Sequence, residues 1–178
     1  SAYDIAKNDG ERRFALFTNV VAYVDSGSTD AAMKEMENGY SLAKNINDAG
    51  AMSGDLTIMG NILFEAGRYE EAKAKFTEAL SVVESSDLSE EVKENNRRLN
   101  LYNMGRISLM AGKFEEAKKM ADEFNMKSTA ANNTFQIWLA HQLNGLIALQ
   151  EKDYKKAISE FENSNLQNPQ TYYYLAIA

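Results

Sequence analysis

His141 is the only imidazole in the chain and there is no cysteine, so a Ser-His or Cys-His nucleophile would have a single possible base. It falls inside a helical pattern, where neighbouring segments place a large core residue. His141 therefore reads as a partly buried or edge histidine, not a general base. The same counts leave no thiolate site and no second imidazole for a metal. Paired acids, which can divide acid and base work, occur at Glu70-Glu71 and Glu115-Glu116. Each pair follows a turn residue at a helix start, where carboxylates complement the positive dipole end. Gly105 and Gly112-Lys113 do not make a phosphate loop. Six residues separate the glycines and Phe114, not Ser or Thr, follows the lysine. Asn132-Asn133-Thr134 is a formal glycosylation acceptor of a kind that is common by chance. No catalytic residue, cofactor or metal is expected.

Composition agrees with a binding or structural role. The 178 residues carry 26 Asp plus Glu against 19 Lys plus Arg, a net charge of −7, and the pI is about 4.9. So acidic a chain would release few counterions on a phosphate backbone, and nucleic acid is not an expected partner. A single proline, where usual usage predicts roughly nine, excludes collagen-like and proline-rich disordered classes. No apolar run approaches the ~20 residues a membrane span needs. The longest, Phe14 to Val24, is broken by Thr18 and Asn19, and it lacks the form of a signal peptide. Membrane insertion is not expected. The compartment is left open between cytoplasm and bacterial envelope, with the asparagine-rich composition tilting toward bacteria. The chain closes on Tyr172-Tyr173-Tyr174-Leu175-Ala176-Ile177-Ala178, helix-forming and without a stop signal, as expected of a piece of a longer protein.

The elements that would position any site are helices. Phe14, Phe17, Val20, Val21 and Val24 follow helical spacing and predict an amphipathic helix. Ser26-Gly27-Ser28 breaks it, with Thr29 or Asp30 as the next cap. Ala32, Met33, Met36, Tyr40 and Ala43 mark a second helix, ended by Gly50 to Gly54. Ser53 is expected to cap a third, carrying Leu56, Met59, Leu63 and Phe64. Further helices are expected over 69–85, from a Ser86 or Asp87 cap to about Ala111, and from Phe114 to about Asn125. Two more should run from a Ser128 or Thr129 cap to about Gln150, and from Asp153 to about Leu166. Eight helices in antiparallel pairs, with a ninth begun, make the chain all-α.

Three segments align without gaps: Gly67-Arg68-Tyr69-Glu70-Glu71-Ala72, Gly112-Lys113-Phe114-Glu115-Glu116-Ala117 and Lys152-Asp153-Tyr154-Lys155-Lys156-Ala157. Seven residues before each stands Gly60, Gly105 or Gly145, and four after each alanine comes Phe76, Ala121 or Phe161. A mid-helix glycine costs about 1 kcal/mol relative to alanine, so its recurrence calls for a packing reason. This pattern resembles the tetratricopeptide repeat (TPR) family. Leu56, Met59, Gly60, Leu63, Gly67, Tyr69, Ala72, Phe76 and Ala79 give the best match. The second copy, with Leu101, Met104, Gly105, Gly112, Phe114 and Ala117, departs at Ser108, Ala121 and Phe124. The third keeps Gly145, Tyr154, Ala157, Phe161 and Pro169, but has His141, Asn144 and Lys152 at atypical positions. A degenerate earlier copy fits Leu16, Tyr23, Gly27, Ala32 and Met36. Intervals of 40, 45 and 40 residues from Gly27 to Gly67, Gly112 and Lys152 exceed the usual 34, a long-period variant. The resemblance implies a right-handed α-solenoid over 11–178. Its helix pairs would span 11–50 (degenerate), 53–85, 88–126 and 129–168, with a truncated repeat at 170–178.

The family lines a concave groove with the first helix of each repeat. Carried over by position, the resemblance implies partner contacts at Thr57, Asn61, Phe64 and Glu65. Tyr102, Asn103, Arg106 and Leu109 follow from the second strong repeat, and Gln142, Leu146 and Leu149 from the third. One subclass clamps chaperone C-terminal carboxylates with two asparagines and several cations. Asn61 and Asn103 match its asparagines, but Thr57, Leu139 and Leu143 replace the cations, so that binding is not expected. The expected function is a non-catalytic protein–protein interaction scaffold, holding a partner protein or peptide in the groove. The alternative is a regulatory or sensor segment whose repeats enclose a short signalling peptide or small ligand.

Overall fold

A computed structural model describes residues 2–178, and no strand occurs among them. The helices are α1 (Ala2–Ile5), α2 (Asp9–Asp25), α3 (Thr29–Asn45), α4 (Ala49–Glu65), α5 (Tyr69–Glu84), α6 (Glu90–Met110), α7 (Phe114–Ala130), α8 (Thr134–Gln150), α9 (Tyr154–Glu162) and α10 (Pro169–Ile177). Antiparallel neighbours pack in chain order, the α-solenoid-like, all-α arrangement expected from the sequence. Two compact units result, one ending at Lys93 and the other running Glu94–Ala178. In the first, α2 to α5 pack successively; in the second, α7 to α10 do so.

One joint, used six times, sets this order. Gly27, Asn47, Gly67, Gly112, Asn132 and Lys152 all have φ between 50 and 75°, the left-handed region that closes a helix. The next residue then donates its N–H back to a carbonyl in the last turn. Ser28 N reaches Tyr23 O at 2.8 Å, Asn133 N reaches Ser128 O at 3.1 Å, and Asp153 N reaches Ala148 O at 2.9 Å. That same residue caps the following helix: Asp48, Asn133 and Asp153 accept from the N–H of Ala51, Gln136 and Lys156. Asn47 and Asn132 thus do what glycine does at alternate joints, because asparagine tolerates the left-handed conformation.

Expected boundaries move, two of them for this reason. Asp48, not Ser53, caps α4; Gly50 and Gly54 lie inside that helix and Ser53 is buried. Ser128 and Thr129 cap nothing: α7 continues to Ala130, Ser128 is buried, and Asn133 caps α8. The long helix starts at Glu90 rather than after Ser86 or Asp87, and Ser89 Oγ accepts from Val92 N at 3.4 Å. This joint has no left-handed residue and is longer than the six left-handed ones, and α6, at 21 residues, exceeds the 17 of α2, α3, α4, α7 and α8. Together they produce the 45-residue interval.

The repeated glycines have a packing reason. A Cβ on Gly60 would stand within 2.9 Å of three ring carbons of Phe76, and one on Gly145 within 2.8 Å of three of Phe161. Each ring lies over the bare backbone of the preceding helix, so removing the methyl creates its seat. Between them, Ala32, Ala72, Ala117 and Ala157 are fully buried at one equivalent position. In the second copy Ala121 leaves the seat empty, and Leu143 Cδ2 would meet a Cβ on Gly105 at 2.9 Å instead. Phe124, also fully buried, packs on Tyr102 at 5.6 Å between ring centroids. Volume is conserved by exchange rather than by position.

Candidate functional site

The groove residues expected on α6 and α8 do not form an open surface. Tyr102, Asn103, Arg106, Leu109 and Gln142 are all buried. Tyr102 donates its hydroxyl to Gln142 Oε1 at 2.7 Å, and the Arg106 guanidinium lies 5.3 Å from the Tyr102 ring centroid. Tyr102 belongs to the core of the second unit, and Leu146 and Leu149 pack against core clusters there. Higher on α6, Arg98 Nε donates to Gln136 Oε1 at 2.8 Å, and Gln136 Nε2 donates to Asn95 Oδ1 at 3.0 Å. These long polar side chains satisfy one another between helices, which a partner would have to break. On α4, Asn61 and Phe64 are half-buried and Glu65 is exposed; the Phe64 ring packs on Tyr69 at 5.3 Å. His141 Nδ1 lies 2.8 Å from Glu160 Oε2, tying α8 to α9 at a partly exposed edge.

Exposed large apolar side chains occur along the chain, among them Phe135 and Trp138 on α8 and Tyr172, Tyr173 and Ile177 on α10, and α2 carries the most of any helix. Phe14 is 73 % exposed, Phe17 44 %, Val21 46 % and Val24 45 %. Helical spacing alone puts these four with Val20 on one apolar stripe; only Val20, beside Ala15 and Leu16, is buried. The correction follows from register. A shift of 40 residues carries Phe17, Val21 and Val24 onto Thr57, Asn61 and Phe64, the positions assigned to the groove. Gly27 and Gly67, also 40 apart, would have supplied that register from the sequence. The helix presents two apolar faces, and periodicity alone cannot tell them apart.

Beneath this stripe is an ionic floor. Arg13 Nη2 donates to both carboxylate oxygens of Asp55 at 2.8 Å, joining α2 to α4. A cavity of about 270 Å³ beside the pair is lined by Phe14, Phe17, Glu35, Met36, Gly39 and Ile58, among others. Burial pushes the Asp55 carboxyl above its ordinary pKa, and the Arg13 guanidinium only partly offsets that. Charge on the two wall helices is one-sided. Together α2 and α4 hold five acids and two bases, Arg12 and Arg13, which are bound by Asp9 and Asp55. Each helix ends on an acid, Asp25 or Glu65, with no base in its last turn. A carboxylate at the negative end of a helix costs about 0.3–1 kcal/mol, so helix stability does not account for these residues.

No group of acids and histidine that could hold a metal occurs among the described residues. No described helix is long and apolar enough to cross a membrane. Neither a family model nor a curated protein sequence matches the chain. Among solved structures, the chain is similar to the crystal structure of BtubC (BKLC) from P. vanneervenii, with a TM-score of 0.67 and 18 % sequence identity. That similarity covers 99 % of this chain and 77 % of the other. At such identity it establishes a shared fold of packed helices and nothing about what either protein binds.

Proposed function

We propose that this chain is a non-catalytic protein–protein interaction scaffold of the TPR type, and that its docking face is the exposed side of α2 with the adjoining wall of α4. The observation that carries this reading is the exposed stripe of Phe14, Phe17, Val21 and Val24, of which Phe17, Val21 and Val24 stand at the positions a TPR-like repeat turns toward its partner. These four large apolar side chains lie outside the core cluster that Val20, Ala32, Met36, Leu56, Met59 and Ala79 form in the first unit. Exposed contiguous apolar surface is characteristic of interaction sites, and each anchor buried on docking supplies about 1.5–3 kcal/mol.

Selection of random 20-residue peptides on the immobilised protein tests the reading. Peptides should enrich on the wild type and fail on Phe17→Ser/Val21→Ser, while the melting temperature of that variant stays within a few degrees. Equal enrichment on both proteins, or none on either, would defeat it.

A further inference from the structure

We infer that the partner of the α2–α4 face is a basic amphipathic helix, an inference that rests on the scaffold reading and specifies its ligand. Shape comes first. Phe14, Phe17, Val21 and Val24 recur at helical intervals on one side of α2, a straight strip about 15 Å long at 1.5 Å per residue. These four side chains present no hydrogen-bonding group. An extended peptide laid along them would leave backbone N–H and C=O groups facing hydrocarbon, whereas a helix satisfies its own and offers a matching apolar stripe.

Charge then selects among helices. Through Lys93 the chain has 17 Asp plus Glu against 9 Lys plus Arg, and from Glu94 onward 9 against 10. The formal charges are therefore −8 and +1. The acidity of the whole chain thus belongs to the unit that carries the stripe. On the wall helices themselves, both arginines are held in ion pairs, α4 has no base at all, and Asp25 and Glu65 follow directly on Val24 and Phe64. Glu35 borders the cavity beside Phe14 and Phe17, and Asp55 there is taken up by Arg13. A helix with lysine or arginine flanking its apolar stripe meets opposite charge at both ends of the strip. An acidic helix, or an anionic lipid surface, meets like charge.

Three 18-residue peptides with the same leucine stripe, and Lys, Gln or Glu on the polar face, distinguish the possibilities by fluorescence anisotropy with the full chain. The Lys peptide should bind at least tenfold more tightly at 50 mM than at 300 mM NaCl, and at least tenfold more tightly than the Glu peptide at the lower salt. Phe17→Ser/Val21→Ser should abolish its binding, and Asp25→Asn/Glu65→Gln should weaken it at least threefold and flatten the salt dependence. Binding of all three peptides alike, still lost in Phe17→Ser/Val21→Ser, would overturn the charge inference and leave the scaffold reading standing. Binding that survives that double variant, or no binding of the Lys peptide at 50 mM NaCl, would overturn the inference at this face. Self-association abolished by the same substitutions, or capture on phosphatidylserine-containing vesicles, would assign the face to another occupant and overturn it as well.

Discussion

Gly60 and Phe76 act as one unit of packing. Replacing a helical glycine by alanine ordinarily gains about 1 kcal/mol, but at Gly60 the new methyl would stand among the ring carbons of Phe76. The ring is nearly wholly buried and cannot yield without moving its helix, so overpacking of about 1–3 kcal/mol outweighs the gain. Gly60→Ala should therefore lower the urea midpoint, and adding Phe76→Leu should recover part of the loss. Gly105→Ala is the internal contrast. There the obstacle is one methyl of Leu143, with Met120 Cβ at a comfortable 3.5 Å, and rotation of a leucine relieves it. Gly105→Ala should cost less than Gly60→Ala in the same urea titration; an equal or greater loss would refute the packing account.

At the scale of the element, the joints carry the information. Each three-residue joint supplies a left-handed residue, and where that residue is glycine the sequence announces it, as at Gly27, Gly67 and Gly112. Asn47 and Asn132 make the same turn without that signal, so the boundaries read around Gly50 and Ser128 were displaced although the helices themselves were legible. The exposed stripe was missed for a related reason. Phe14, Phe17, Val21 and Val24 satisfy helical periodicity as well as core residues do, and only the 40-residue register from Gly27 to Gly67 separates one apolar face of α2 from the other. Burial of Tyr102 and Gln142 was out of reach, because a hydrogen bond between residues 40 apart leaves no trace in local pattern. Lys152 is the joint with the least suitable residue, at φ 62°. A left-handed conformation costs a residue with a Cβ about 1–2 kcal/mol. Lys152→Gly should consequently stabilise the second unit by up to about 1 kcal/mol, less the greater entropy of glycine in the unfolded chain. Asn132→Gly should gain less. Thermal unfolding of the two variants checks the order, and a lower melting temperature for Lys152→Gly would contradict it.

Across the whole molecule the decisive asymmetry is electrostatic. Like charges confined to one compact unit repel one another and raise its free energy relative to the unfolded chain, where they are farther apart. With 17 acids and 9 bases, the unit ending at Lys93 bears that cost; with 9 and 10, the unit from Glu94 does not. Local ion pairs do not cancel the difference, since Arg12, Arg68 and Lys75 already bind Asp9, Asp30, Glu71 and Glu78 and the net charge remains. In stacked helices, stability is a sum of local and nearest-neighbour contributions, so each unit should report its own electrostatics through amide exchange. Raising NaCl from 0.1 M to 1 M shortens the screening length from about 10 to about 3 Å. Protection in α3, α4 and α5 should then rise by about 0.5–1 kcal/mol, roughly a two- to fivefold slowing of exchange. Helices α7, α8 and α9 serve as the reference under identical solvent and should change little. A general effect of salt on apolar burial would move both sets together, and that uniform shift would show that charge segregation does not govern the stability of the first unit. A selective gain would tie the stability of the α2–α4 face to the same acidic charge that recruits a basic partner, so that binding a cationic helix should protect α3 to α5 from exchange even at 0.1 M salt.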